Sequence, residues 1–182
     1  MPWSPLVAFP AELHAVATTI RLACFDVDGT LTDGRLYYDH AGNESKAFYV
    51  QDGLGLKLLQ KHGIHPVLIT ARNSLSAQKR GADLGIDTQI AVGDKLSSVR
   101  ALCERFGIGL EQVAFLGDDL PDLAPLCAVG LAVAPADAHP LIAERVHWCT
   151  HAAGGRGAAR ELCDVLLAAQ GKLDAAVAGF AR

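Results

Sequence analysis

Short apolar runs recur along the chain, mostly bounded by Gly, Asp or Pro. They fall at Ile20–Phe25, Pro66–Ile69, Gln89–Val92, Val113–Leu116 and Gly130–Val133. Runs this short between turn formers predict strands buried on both faces. Helical patterns lie between them. Leu96, Val99, Leu102, Cys103 and Phe106 form one apolar stripe, and Gly107 follows as a stop. Leu162, Val165, Leu166 and Ala169 repeat that pattern, with Gly171 as the stop. Residues 54–62 and 74–84 also read as helices. Alternating strands and helices predict a doubly wound α/β fold, with a mainly parallel sheet and right-handed crossovers.

One stretch breaks the alternation. Leu36-Tyr37-Tyr38 and Ala47-Phe48-Tyr49-Val50 are rich in strand formers, and residues 40–44 between them form a turn signal. This predicts a β-hairpin inserted just after the first strand. Residues 1–18 carry three prolines and little periodicity, so they read as a variable lead-in. A single domain is expected over residues 19–176, with a C-terminal tail at 150–182.

Composition narrows the class. A chain of 182 residues has room for one domain of ordinary size. Its 51% hydrophobic and 20% charged content is that of a folded protein. A net charge of −4 argues against a nucleic-acid partner. The longest apolar run, Leu126–Ala136, is interrupted by Gly130 and Pro135 and is too short to cross a membrane. Five scattered cysteines without a CxxC pair suggest reduced thiols and a cytoplasmic protein.

Candidate chemistry sits where the strands end, because open parallel sheets bind ligands beyond their C-terminal edge. Asp26 and Asp28 follow the first run, Thr70 and Arg72 the second, Asp94 and Lys95 the third, and Asp118, Asp119 and Asp122 the fourth. Crowded carboxylates repel and call for a hard divalent cation such as Mg²⁺. A carboxylate beside that cation can serve as a nucleophile toward phosphorus. Lys95 and Thr70 can hold a transferring phosphoryl group, and Asp28 can act as acid and then base. Asp94 reads as a helix N-cap, and His139 as structural. Any one of these motifs alone would read as a turn or cap. Four of them, in this order and each at the end of an apolar run, do not.

The same residues resemble the motifs of the haloacid dehalogenase superfamily of phosphotransferases. DxDGT is Asp26 to Thr30, the strand-end Thr is Thr70, the Lys is Lys95, and GDDxxD is Gly117 to Asp122. The resemblance implies that Asp26 becomes an aspartyl-phosphate and that Asp28 is the general acid/base. It implies Mg²⁺ on Asp26, Asp118 and the backbone carbonyl of Asp28. Asp119 and Asp122 would act nearby, through water or by orienting Lys95. The stretches KAFYVQDGLGLKLL (46–59), GGRGAARELCDVLL (154–167) and AQGKLD (169–174) extend the likeness to a branch without a cap domain. That branch removes phosphate from an eight-carbon acidic sugar in lipopolysaccharide synthesis.

Members of the branch are similar to known homotetramers, which implies a hairpin projecting toward a neighbouring subunit. Arg72, Arg80, Lys46 and Arg156 are candidates for the anionic groups of the sugar, Arg156 by reaching a neighbour's site. The alternative substrate is a nine-carbon sugar acid phosphate, as in sialic acid or KDN synthesis. A non-catalytic assembly domain is disfavoured because every catalytic motif residue is present. A phosphomutase is disfavoured because intramolecular transfer needs a site closed to water.

Overall fold

The computed structural model describes residues 4–180, so Met1–Trp3 of the lead-in and the last two residues of the tail lie outside the described residues. In chain order the elements are α1 (His14–Thr19), β1 (Leu22–Phe25), β2 (Tyr37–Tyr38), β3 (Glu44–Ser45), α2 (Val50–Lys61), β4 (His65–Ile69), α3 (Leu75–Leu84) and β5 (Asp87–Gln89). They continue with α4 (Lys95–Phe106), β6 (Val113–Leu116), α5 (Leu123–Leu126), β7 (Leu131–Ala134), α6 (Pro140–Ala143), β8 (Trp148–Cys149), α7 (Ala158–Ala169) and α8 (Leu173–Ala178).

Six strands form one parallel sheet in the order β5-β4-β1-β6-β7-β8. The chain winds outward from β1 through β4 to β5. It then returns to lay β6 on the other side of β1 and winds outward again. The direction of winding reverses between β1 and β6, which is where a crevice opens at the C-terminal edge.

Every residue of β1, β6 and β7 is buried, as their continuous apolar runs require. The two-residue period of a strand divides them between two cores. Ala23, Phe25, Ala114 and Leu116 face one core with α1, α2, α3 and α7. Leu22, Cys24, Val113 and Phe115 face the other, with α4, α5 and α6. Fully burying side chains such as Phe25 and Phe115 contributes about 1.5–3 kcal/mol each.

Three segments depart from the sequence reading. The run Gln89–Val92 is not one strand. β5 stops at Gln89, and Ala91 takes a left-handed turn at φ 56°. The turn lets Val92 N–H donate to the Thr70 carbonyl at 3.0 Å and Ala91 N–H to that of Arg72 at 3.0 Å. The hairpin is present as β2 and β3, antiparallel, but its second strand lies at Glu44–Ser45. Ala47–Val50 is not strand, and Val50 already opens α2. Within the expected lead-in, buried Phe9 stacks on His14 and meets the edge of Trp148 at 5.0 Å, so this segment is docked on the core. Among the described residues no helix is long and apolar enough to cross a membrane.

Candidate active site

Asp26, Asp28, Thr70, Arg72, Lys95, Asp118, Asp119 and Asp122 line one open cavity of about 280 Å³ at the C-terminal edge of the sheet. The winding delivers them there. Asp26 follows β1, Thr70 follows β4, Asp118 follows β6, and Lys95 begins the crossover helix α4. Asp94 caps that helix, its carboxylate accepting from Ser97 N–H at 3.0 Å. The cap fixes where the next residue, Lys95, leaves the helix.

Lys95 is only 4% exposed and bridges two buried carboxylates. Its Nζ donates to Asp26 Oδ1 at 2.5 Å and to Asp122 Oδ1 at 2.6 Å. Burial would lower the Lys95 pKa, but the two carboxylates outweigh it and push it up. Burial and then the charge of Asp122 hold Asp26 well above the usual carboxylate range. Burial and Asp122 likewise push Asp118 up to about 6. Oxygens of Asp26, Asp118 and Asp122 lie within 4.8 Å of one another. One ammonium does not balance three carboxylates, so the cluster has unmet demand for positive charge.

Local backbone geometry makes room for this crowding. Gly29 has φ 88°, and a Cβ there would sit 2.1 Å from Asp118 Oδ2. The Thr30 hydroxyl donates to Asp118 Oδ1 at 3.0 Å. Asp122 Oδ2 accepts from the backbone N–H of Asp118 at 3.0 Å, which holds the carboxylate toward Lys95. Asp119 caps the following turn by accepting from Leu120 N–H at 2.8 Å. Asp122, and not Asp119, therefore orients Lys95.

Across the cavity, the Asp28 carboxylate pairs with Lys46 and lies 3.5 Å from the Thr70 hydroxyl and 4.0 Å from Arg72 Nε. The hairpin thus delivers Lys46 to the site within the same chain. Glu44, which the sequence reading treated only as part of a turn, accepts from Lys46 Nζ at 3.0 Å and pairs with Arg72. Burial favours the neutral form of Glu44, but these two cations outweigh it and hold its pKa below the usual value. No strand period marked it, because β3 ends at Ser45 and the pairing depends on how the chain turns into Lys46.

Two expected residues do not reach this cavity within the chain. Arg80 lies over the Phe48 ring, 5.7 Å from its centroid, in a separate small pocket with Asp52 and Leu84. Arg156 lines another pocket with Asp33 and Tyr49. α3 and the turn before α7 carry these side chains away from the strand ends. His139 is structural: its ring accepts from Leu141 N–H at 3.2 Å at the start of α6.

The arrangement offers a buried carboxylate nucleophile, a lysine and a threonine for phosphoryl oxygens, and an acidic group beside them. Comparison with known proteins agrees with it. Residues 92–162 match the family model of haloacid dehalogenase-like hydrolases. The chain is 47% identical over 168 residues to 3-deoxy-D-manno-octulosonate 8-phosphate phosphatase of Escherichia coli K12, covering 91% of this chain and 89% of that one. It superposes on the crystal structure of the Moraxella catarrhalis enzyme of the same name, in complex with magnesium, phosphate and KDO, with TM-score 0.90. That pair is 39% identical over 93% of this chain and 98% of the other. A Xanthomonas campestris structure is 66% identical, with TM-score 0.98 over the full length of both chains.

Proposed function

The chain belongs to the haloacid dehalogenase-like hydrolases, among the 3-deoxy-D-manno-octulosonate 8-phosphate phosphatases, and from that premise we propose the reaction its cavity performs. It is the Mg²⁺-dependent hydrolysis of 3-deoxy-D-manno-octulosonate 8-phosphate to the free sugar acid and phosphate. The observation that carries this reading is Lys95 clamped between Asp26 and Asp122, in one cavity with Thr70, Asp28 and Asp118.

An Asp26 oxygen attacks phosphorus opposite the bond to the sugar oxygen. As that bond breaks, Asp28 gives its proton to the leaving oxygen. An aspartyl-phosphate is left on Asp26. Asp28, now a carboxylate, takes a proton from water. The water attacks phosphorus, the bond to Asp26 breaks, and phosphate is released. Lys95 and Thr70 donate to the equatorial phosphoryl oxygens, whose charge is spread in the transition state.

The donor set fits a hard divalent cation. It consists of crowded carboxylates whose pKa values are raised by burial and then by one another's charge. Asp26, Asp118 and the Asp28 carbonyl would hold Mg²⁺, while Asp122 is engaged with Lys95. When bound, Mg²⁺ neutralises the carboxylates and polarises a phosphoryl oxygen.

Arg72, which lines the cavity with an exposed side chain, is the cation for the carboxylate of the sugar acid, while Lys46 is buried between Asp28 and Glu44 and holds Asp28 in place. Arg forms bidentate pairs with such groups. The open cavity has little wall to select a sugar, so we propose a homotetramer in which the hairpin abuts a neighbour. Leu36, Tyr37 and Tyr38 on the hairpin are exposed, with Tyr38 at 59%. In such an assembly Arg156 would serve a neighbouring site. A cytoplasmic location fits the five unpaired thiols. The substrate is tested by comparing kcat/KM for the eight-carbon sugar acid 8-phosphate with that for nine-carbon sugar acid 9-phosphates. Preference for the eight-carbon substrate is expected, and faster turnover of a nine-carbon one would refute the assignment.

A further inference from the structure

Behind the catalytic loop lies a turn that no step of the reaction uses. Gly154 packs so closely on this loop that a Cβ there would sit 1.8 Å from the Gly29 carbonyl oxygen and 3.2 Å from that of Thr32. Gly155, at φ 63°, would place a Cβ 2.5 Å from the Thr32 carbonyl carbon. Its N–H donates to the Thr30 carbonyl at 2.9 Å. The turn therefore touches the backbone of Gly29, Thr30 and Thr32 directly. Two of them meet Asp118, Thr30 through its hydroxyl at 3.0 Å and Gly29 by its close approach.

The turn is itself tied down by carboxylates that do not line the catalytic cavity. Asp137 Oδ1, from the loop before α6, accepts from Gly154 N–H at 2.8 Å. Glu161 accepts from the N–H groups of His151 at 3.0 Å and Ala152 at 3.0 Å. Asp52, from α2, accepts from Arg160 N–H at 2.8 Å. Charge-assisted bonds of this kind are stronger than neutral ones and hold a short turn in one place. The turn is fixed on one side and pressed on the catalytic loop on the other, so it braces the backbone that carries the Thr30 hydroxyl.

We infer that the Gly154–Gly155 turn, anchored by Asp137, is a positioning element for Asp118 and so sets the affinity of the site for its cation. The inference rests on the reading of Asp118 as a Mg²⁺ ligand. Groups that orient metal ligands from behind change metal affinity by about 10–100-fold when removed.

The test is calorimetric titration of the metal-stripped full chain with Mg²⁺, with melting in EDTA recorded for each variant. Asp137→Ala and Gly154→Ala are expected to weaken Mg²⁺ binding by about tenfold or more. Asp137→Asn keeps an acceptor oxygen and is expected to restore most of the affinity. A general loss of structure would instead lower the melting temperature of both Asp137 variants and would not be rescued by Asn. If Gly154→Ala does not fold, the Asp137 pair decides the matter. Wild-type Mg²⁺ affinity in Asp137→Ala, with binding lost in Asp118→Asn, would overturn this inference alone. Wild-type binding in Asp118→Asn would overturn the metal assignment and this inference together.

Discussion

Lys95 reaches from the first turn of α4 into a site with two carboxylates, 2.5 Å from Asp26 and 2.6 Å from Asp122. Removing one partner of a buried ionic cluster leaves the others uncompensated, at a cost of about 3–5 kcal/mol. Lys95→Met is therefore expected to lower stability by that order at neutral pH in EDTA. It should also lower phosphatase turnover by about 10²–10³, the loss typical of a donor to developing charge. Without the ammonium, the paired carboxylates are relieved by protons, so the stability deficit should shrink as pH falls. Denaturant melts of both proteins at pH 5 and pH 7.5 check this, and a pH-independent deficit would contradict it. The residues at strand ends were legible because spacing and order placed them after apolar runs. The resemblance also implied that Asp122 orients Lys95, which the 2.6 Å contact matches, whereas Glu44 was not legible, since its pairing depends on where a side chain turns after its backbone is placed.

At the scale of elements, α7 starts at Gly157 without a side-chain cap of its own. Asp52 of α2 takes that part by accepting from Arg160 N–H, and its other oxygen is buried without a partner. Burial raises the Asp52 pKa, with the α7 N–H groups and Arg160 opposing. A carboxyl whose folded pKa exceeds its unfolded one helps stability below the unfolded value and loses that help as pH rises through the folded value. Asp52→Asn keeps an acceptor and never ionises. Its melting temperature is expected to rise relative to wild type between pH 4 and pH 7, and a falling difference would contradict the sign. Asp52→Ala loses the cap and should cost about 1 kcal/mol.

Long buried strands and amphipathic helices were legible as elements, because continuous apolar runs and stripes mark them directly. β8 was not, since Trp148–Cys149 is too short to show a period. The end of β5 was misread because Ile90, Ala91 and Val92 are apolar for a turn that seals the Thr70 loop, and not for a strand.

For the whole molecule, the reversal of winding between β1 and β6 puts Asp26 and Asp118 on either side of the crevice. The alternation of elements implied such a crevice, but the strand order that locates it depends on long-range pairing. The open cavity and exposed hairpin underlie the tetramer proposal. Light scattering is expected to give four times the 19.2 kDa chain mass for wild type. Tyr37→Asp with Tyr38→Asp is expected to give smaller species with a raised KM, because the neighbour's wall is lost. A fully active wild-type monomer would contradict the proposal.

The central claim is Asp26-dependent, Mg²⁺-dependent phosphate release. Its most direct test is phosphate release from 3-deoxy-D-manno-octulosonate 8-phosphate by wild type and Asp26→Asn, each with Mg²⁺ and with EDTA. Turnover is predicted for wild type with Mg²⁺ alone, with no release by a correctly folded Asp26→Asn under either condition. Wild-type rates in Asp26→Asn, or in EDTA, would contradict the account.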